Sequence, residues 1–324
     1  KIVSFPFNLP NKFGGYGVSI PMLSILIPVY NFDIRQLVND LHSQCLECEI
    51  DFEIICLDDG SKNEFKIINR MVRAFSNVIY KELEVNLGRS KIRNELGKRA
   101  RFEYLIFMDC DSKVIFKNYI SNYFNELNLG GNLKLPPKSR ILYGGRCYDS
   151  KPPKNSNHIF HWTFGINREQ STPKEREKQP YHSFMTNNFL ISKKVFLDIQ
   201  FDEDLTQYGH EDTLFGLELR KRKIPIIHID NPLEHIGLEE TEVFLNKSKK
   251  AIQNLHYLSQ KNDLIETRLL NFFEKLKRFG LVKLVAFGFD LIEPLLIRNF
   301  HSRNPNLKLF DIYKLGYLCK IASK

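Results

Sequence analysis

LSILIPVYN (23–31), EIICLDDGS (53–61) and YLIFMDCDS (104–112) are apolar, β-rich runs that each stop at polar or acidic residues. Runs of this kind read as buried parallel strands that deliver side chains to one rim of an open α/β sheet. Between them lie helical patterns at 33–46, 64–75 and 89–101, with another strand at 77–82. Strands alternating with helices across short connections predict a mostly parallel, doubly wound sheet. In such sheets ligands sit beyond the carboxyl ends of the strands, where these acids are. A fourth stretch, YGHEDTLFG (208–216), places Glu211 and Asp212 at the start of an amphipathic helix over 213–222.

The charge is unevenly spread. The 324 residues carry a net +9, but residues 1–243 hold 32 basic and 32 acidic side chains, whereas 244–324 hold 15 and 6. A neutral core followed by a basic tail argues against a nucleic-acid binder, because acids at a sheet rim repel phosphates unless a cation intervenes. No leader peptide and no apolar run of bilayer length is visible, so a cytoplasmic location is expected. Cys45 and Cys48 form a lone C-x-x-C late in a helix and, without a second pair, read as reduced thiols. Residues 1–21 read as an irregular lead-in, and 150–180 as a long polar loop.

Asp109 and Asp111 are two apart on an extended segment, so both carboxylates point to one side. Two adjacent acids repel, and a divalent cation is the usual relief. Gly144 and Gly145 would let a ligand approach backbone, Asn187 and Asn188 would hydrogen-bond its hydroxyls, and Trp162 would stack on a ligand ring. Each of these also has a packing or turn reading. The first strand ends in PVYN rather than a glycine-rich phosphate loop, so a dinucleotide-binding Rossmann enzyme is not supported.

The order and residues of the four motifs resemble the inverting family 2 glycosyltransferases of GT-A fold over roughly 22–240. At the E-D pair they are similar to galactosyltransferases and chondroitin-polymerase modules. The resemblance implies a catalytic domain at 22–240 and leaves 241–324 as a basic, mostly helical extension. It implies a nucleotide pocket of Pro28, Tyr30, Asn31, Asp58 and Asp59, with Asp59 reading the uracil N3–H of a UDP-sugar. DDGS is also an ordinary turn sequence. NLGRSKIRN (86–94) would supply Gly88 to open a helix and Arg93, with Arg89, to face the nucleotide, unless they simply form a solvated helix face. Asp109 would face the ribose or the metal's waters, while Asp111 and His235 would hold Mn²⁺ or Mg²⁺. Asp212 would be the catalytic base and Glu211 would hold the acceptor, although two acids in a first turn also complement the helix dipole. His228, inside a strand run, reads as structural.

The implied partners are a nucleotide-sugar donor and a glycan or lipid-linked acceptor, with no nucleic acid. A catalytically inactive scaffold of the same fold is the rival reading, and the intact acid pairs argue against it. In the tail, Leu281, Leu284, Val285, Gly288, Ile292, Leu295 and Leu296 recur near helical spacing among basic residues. They suit either an anionic membrane face or packing against the rest of the protein. Pro294 is expected to kink or split that helix.

Overall fold

The computed structural model describes residues 22–129, 139–205, 209–261, 265 and 267–323; the lead-in 1–21 lies outside them. The first half alternates as the pattern predicts: β1 (Met22–Val29), α1 (Arg35–Glu47), β2 (Asp51–Asp58), α2 (Asn63–Asn69), β3 (Val78–Glu82), α3 (Arg89–Arg99) and β4 (Tyr104–Met108). The helix expected over 64–75 ends early, and Arg70–Ala74 tightens into a 3-10 turn. There follow β5 (Ser112–Val114), α4 (Tyr119–Leu129), β6 (Ile141–Tyr143), β7 (Arg146–Cys147), α5 (Ile159–Phe164), α6 (Pro173–Arg176), β8 (Asn188–Ser192), α7 (Lys193–Ile199), α8 (Glu211–Lys221), β9 (Ile226–His228) and β10 (Leu233–His235).

Seven strands form one sheet in the order β3-β2-β1-β4-β8-β6-β9. β3, β2, β1 and β4 are parallel, and β8 runs antiparallel to both its neighbours. The order reverses at β1, so the rim between β1, β2 and β4 is where a crevice opens. Side-chain alternation explains the two layers. Leu23, Ile25, Ile27 and Val29 of β1 pack under α1 and α4, while Leu26 of β1 joins Ile55, Leu105 and Phe107 under α3, α7 and α8. A second sheet, β5-β10-β7, pairs His235 with Ser112 and Leu233 with Arg146. It carries residues 230 positions into the chain back to the rim of β4.

The segment 150–180 is not the loop its polarity suggests. It contains α5, a π-helical turn over Gly165–Glu169 and α6. The reason is tertiary: Phe160 is fully buried and stacks on Phe300 at 4.7 Å between ring centroids. Aromatic contacts with a distant helix supply the order that a short polar stretch lacks by itself.

The tail is four helices: α9 (Thr241–Lys261), α10 (Arg268–Arg278), α11 (Val282–Phe300) and α12 (Leu307–Ala322). Pro294 neither splits nor ends α11, which runs 19 residues with the proline inside it. Ala286, Phe289, Leu296 and Phe300 form its buried face. Its acids are paired: exposed Asp290 with Lys320, and half-buried Glu293 with Lys320 and Lys249. The outer face is left with Leu284, Phe287, Leu291 and Leu295, each 66–67% exposed. The helix is thus apolar on both faces, where the stripe in the sequence suggested one. Among the described residues, no helix is long and apolar enough to cross a membrane.

Candidate active site

A cleft of about 570 Å³ opens at the carboxyl rim of β1, β2 and β4. Pro28, Tyr30 and Asn31 line it from β1, Asp59 from β2, Gly88, Arg89 and Arg93 from α3, and Asp109 and Asp111 from β4. The strand-end loops are stitched together: the Asn31 amide donates to Ser61 Oγ at 2.8 Å, and the Lys62 amide to Asn31 Oδ1 at 2.8 Å. Tyr30 projects its ring, 54% exposed, over the opening. Asp59 accepts from the amides of Leu87 and Gly88 at 2.6 and 3.1 Å, which fixes the entry to α3. Burial raises its pKa despite those two amides. Gly88 sits at φ +84°, left-handed backbone that favours glycine, as the residue before α3.

Asp109 is clamped. Arg93 donates to Oδ1 at 2.6 Å and Arg146 to Oδ2 at 3.2 Å. Arg146 also donates to Glu169 at 3.0 Å, and the Tyr148 hydroxyl bonds the same carboxylate oxygen. Burial alone would raise Glu169, but Arg146 and the Tyr148 hydroxyl outweigh it and hold the carboxyl below its usual range.

Asp111 lies beside His235, with Oδ1 and Nδ1 3.4 Å apart. The pair is not aligned for a hydrogen bond: Asp111 Oδ1 and both ring nitrogens of His235 are buried without a hydrogen-bond partner. Buried polar atoms left unpaired are costly, and Asp111 Oδ1 and His235 Nδ1 lie side by side in that state, which a ligand between them would relieve. Burial opposes the Asp111 charge, yet His235, Arg146 and Arg89 outweigh it and hold the carboxyl well below the usual range. One carboxylate oxygen and one imidazole nitrogen fit a divalent cation that takes its remaining ligands from substrate oxygens and water. Among the described residues no group of three or more His, Cys, Asp or Glu side chains is placed to hold a metal ion.

Glu211 and Asp212 begin α8, after His210 in left-handed backbone at φ +71°. Glu211 is buried and accepts from Arg89 at 3.0 Å. Burial would raise it, but Arg89 and Arg93 win and it stays lowered. Asp212 is pushed up to about 6, by burial first and the Glu211 charge second. A neighbouring pair whose pKa values are driven apart has the character of one holder and one proton acceptor.

Four expectations fail on geometry. Asp58 is fully buried and turned away from the cleft, accepting from the Ser61 amide and the Tyr80 hydroxyl, both at 2.7 Å. Asn188 has no capacity left for a sugar: its amide donates to Gly145 O and Asn231 O, and its oxygen accepts from Tyr119 and Tyr123. Gly145, at φ +93°, makes room for Arg176 rather than for a sugar, since a Cβ there would sit 2.4 Å from Arg176 Nη1. Trp162 is half-buried on α5, donates to Asp149 O at 2.8 Å and does not line the cleft. His228 accepts from Arg176 at 3.2 Å and contacts Pro180 O at 3.1 Å, and burial lowers it to about 4, so it is a neutral packing residue. Asn188→Leu is expected to strand two tyrosine hydroxyls and two carbonyls, and to cost roughly 3 kcal/mol or more. A urea midpoint within error of the parent would remove Asn188 as a structural keystone.

Arg146, Glu169, Glu239 and Lys247 escaped the sequence reading. Glu239 and Lys247 form an ion pair, and both line the cleft. No local pattern marks them; Arg146 alone had a hint, as the charged residue after Gly-Gly at a strand end.

Residues 24–127 match the family described as Glycosyl transferase family 2. An uncharacterised glycosyltransferase of Bacillus subtilis (strain 168), YfnE, is 24% identical over 255 residues, 64% of this chain and 65% of that protein. Chondroitin synthase of Escherichia coli is 27% identical over 222 residues, 61% of this chain and 32% of that protein. The chain therefore spans less than two thirds of the length of either relative. The mannosyltransferase PcManGT from Pyrobaculum calidifontis, solved in complex with GDP-Man and Mn²⁺, shares the fold at a TM-score of 0.54 and 11% identity, over 95% of this chain and 89% of that one. Motif order, sheet topology and these matches agree on two points: residues 24–127 match the Glycosyl transferase family 2 description, and the chain has the fold of a solved GT-A glycosyltransferase.

Proposed function

We propose that the protein is an inverting, metal-dependent glycosyltransferase that moves a sugar from a UDP-sugar to a hydroxyl of a glycan or lipid-linked glycan. The observation that carries the reading is partnerless Asp111 Oδ1, lining a cleft framed by the β1 and β2 rims, with partnerless His235 Nδ1 3.4 Å behind it. That a protein of this fold was solved with GDP-Man and Mn²⁺ supports it. A divalent cation held by Asp111 and His235 would offset charge on the departing diphosphate. Pro28, Tyr30, Asn31 and Asp59 would frame the base, and Arg93 and Arg146 fix the Asp109 carboxylate towards the ribose. Arg89 holds Glu211, which orients the acceptor, and Asp212 takes the acceptor hydroxyl's proton as C1 is attacked from the face opposite the diphosphate. One displacement inverts the anomeric centre. Calorimetry tests the donor half: UDP should bind with Mn²⁺ present and weaken at least about tenfold in EDTA. UDP affinity indifferent to EDTA sinks the assignment.

We also propose that the protein works at the cytoplasmic leaflet, resting the outer face of α11 on anionic lipid. Exposed Leu284, Phe287, Leu291 and Leu295 lie in a segment that also carries Lys275, Lys277, Arg278, Lys283 and Arg298, while the acids of α11 are paired with Lys249 and Lys320. An apolar face in a basic segment suits an anionic interface. Full-length protein should pellet with phosphatidylglycerol vesicles in a salt-sensitive way, and the double variant Phe287→Asp/Leu291→Asp should not. Equal pelleting returns this face to another partner. Point variants are preferable to truncation, because Leu318 and Cys319 of α12 are fully buried against α9 and α10.

A further inference from the structure

A second cavity, of about 810 Å³, lies between α8 and helices α9, α10 and α12. Lys247 lines both this space and the donor cleft. His210 and Thr213, which flank Glu211 and Asp212, line it as well, and so does Glu169. Glu211 and Asp212 themselves line neither space, so a molecule filling the cavity reaches the first turn of α8 through His210 and Thr213, beside the candidate base rather than in contact with it.

The walls combine two chemistries. Tyr181, Leu217, Phe244, Leu255 and Phe310 make one part apolar. Arg220, Lys247, Arg268 and Lys314 make the other cationic. Among the described residues the one carboxylate in the lining is Glu169, and Arg146 already neutralises it. Lys247 and Lys314 pair with Glu239 and Asp311, whereas Arg220 and Arg268 are exposed at the rim and have no acidic partner among the described residues. A neutral sugar chain would leave the arginines without counter-charge and the aromatic walls without apolar contact. A bare phosphate would satisfy the first requirement and not the second. Only a ligand that is both anionic and apolar matches the whole surface.

We infer that this cavity holds the acceptor, and that the acceptor is a saccharide joined through phosphate to a long hydrocarbon chain, with the phosphate at Arg220 and Arg268 and the chain along the apolar wall. The inference rests on the transferase reading above and narrows its acceptor to one chemical class.

Farnesyl monophosphate, kept below its critical micelle concentration, is the probe, titrated calorimetrically against the full-length protein without donor or metal. It should bind, and farnesol and inorganic phosphate should each bind at least about tenfold more weakly. Arg220→Ala/Arg268→Ala should lose about tenfold or more, and Arg220→Lys/Arg268→Lys should recover most of that loss. Both arginines are at the surface, so these variants should keep the parent's circular dichroism and its UDP affinity. Phe287→Asp/Leu291→Asp, altered only on the outer face of α11, should bind the probe like the parent. Phosphate binding as tightly as the probe would mean an anionic acceptor without lipid, and overturns the proposal. So do farnesol binding equally well, indifference to the arginine variants, and loss of binding in the α11 variant. Failure of the donor reading would show in the UDP titration alone, and leave these results standing.

Discussion

Asp212→Asn should retain UDP binding and lose about two to four orders of magnitude in sugar transfer, the usual scale for removal of a general base. The substitution keeps the shape of the side chain and its place at the start of α8, so the fold should survive. The pH profile gives a second readout. Asp212 is raised to about 6 by burial and by the Glu211 charge. A base works only when deprotonated, so kcat/KM should fall as pH drops through about 6. Glu211→Gln removes the like charge and releases Arg89, both of which favour the Asp212 carboxylate, and the acid limb should move to lower pH. An acid limb that stays in place in Glu211→Gln while transfer persists in Asp212→Asn would move the base elsewhere. Product configuration is independent of both: retention at the anomeric carbon would reject the mechanism.

Asp111→Ala should be as severe for a different reason. It removes one of the two groups that fit a cation, and charge on the leaving diphosphate would go unmet. A loss of about 3–5 kcal/mol of transition-state stabilisation, roughly 10²- to 10⁴-fold in rate, is expected. Unlike Asp212→Asn, this variant should also abolish the Mn²⁺ dependence of UDP binding. His235→Ala should show the same signature. His235→Ala also removes a buried ring packed on Tyr148 and His161 and the charge beside Asp111, so some loss of thermal stability should accompany it. UDP binding that still responds to Mn²⁺ in both variants would place the cation elsewhere.

The contrast between legible and illegible residues has a physical basis. Strands β1, β2 and β4 end abruptly in polar residues, and a buried strand that ends so can only point them at the rim. Asp59, Asp109 and Asp111 were therefore visible as rim residues from sequence alone. What lies beyond the last strand residue was not. Asp58 and Asp59 look alike in the sequence, and only the placement of Tyr80 on β3 decides which is spent on the fold. Asn188 reads as a free amide until Tyr119, Tyr123, Gly145 and Asn231 fill its four positions. The same blindness hid α5, whose order comes from Phe300, 140 positions away in the chain. Hydrogen-bond saturation and long-range stacking leave no periodic trace, whereas strand burial does.

The Arg146 guanidinium joins two carboxylates that belong to different spaces: Asp109 lines the donor cleft and Glu169 lines the larger cavity beside it. One cation shared between two acids makes their electrostatic free energies inseparable, because whatever neutralises or displaces one carboxylate changes what the other receives. Ligands in the two spaces then act on each other through a common linkage term, and thermodynamic reciprocity fixes its symmetry. Whatever factor a filled donor cleft imposes on binding in the cavity, a filled cavity imposes on the donor.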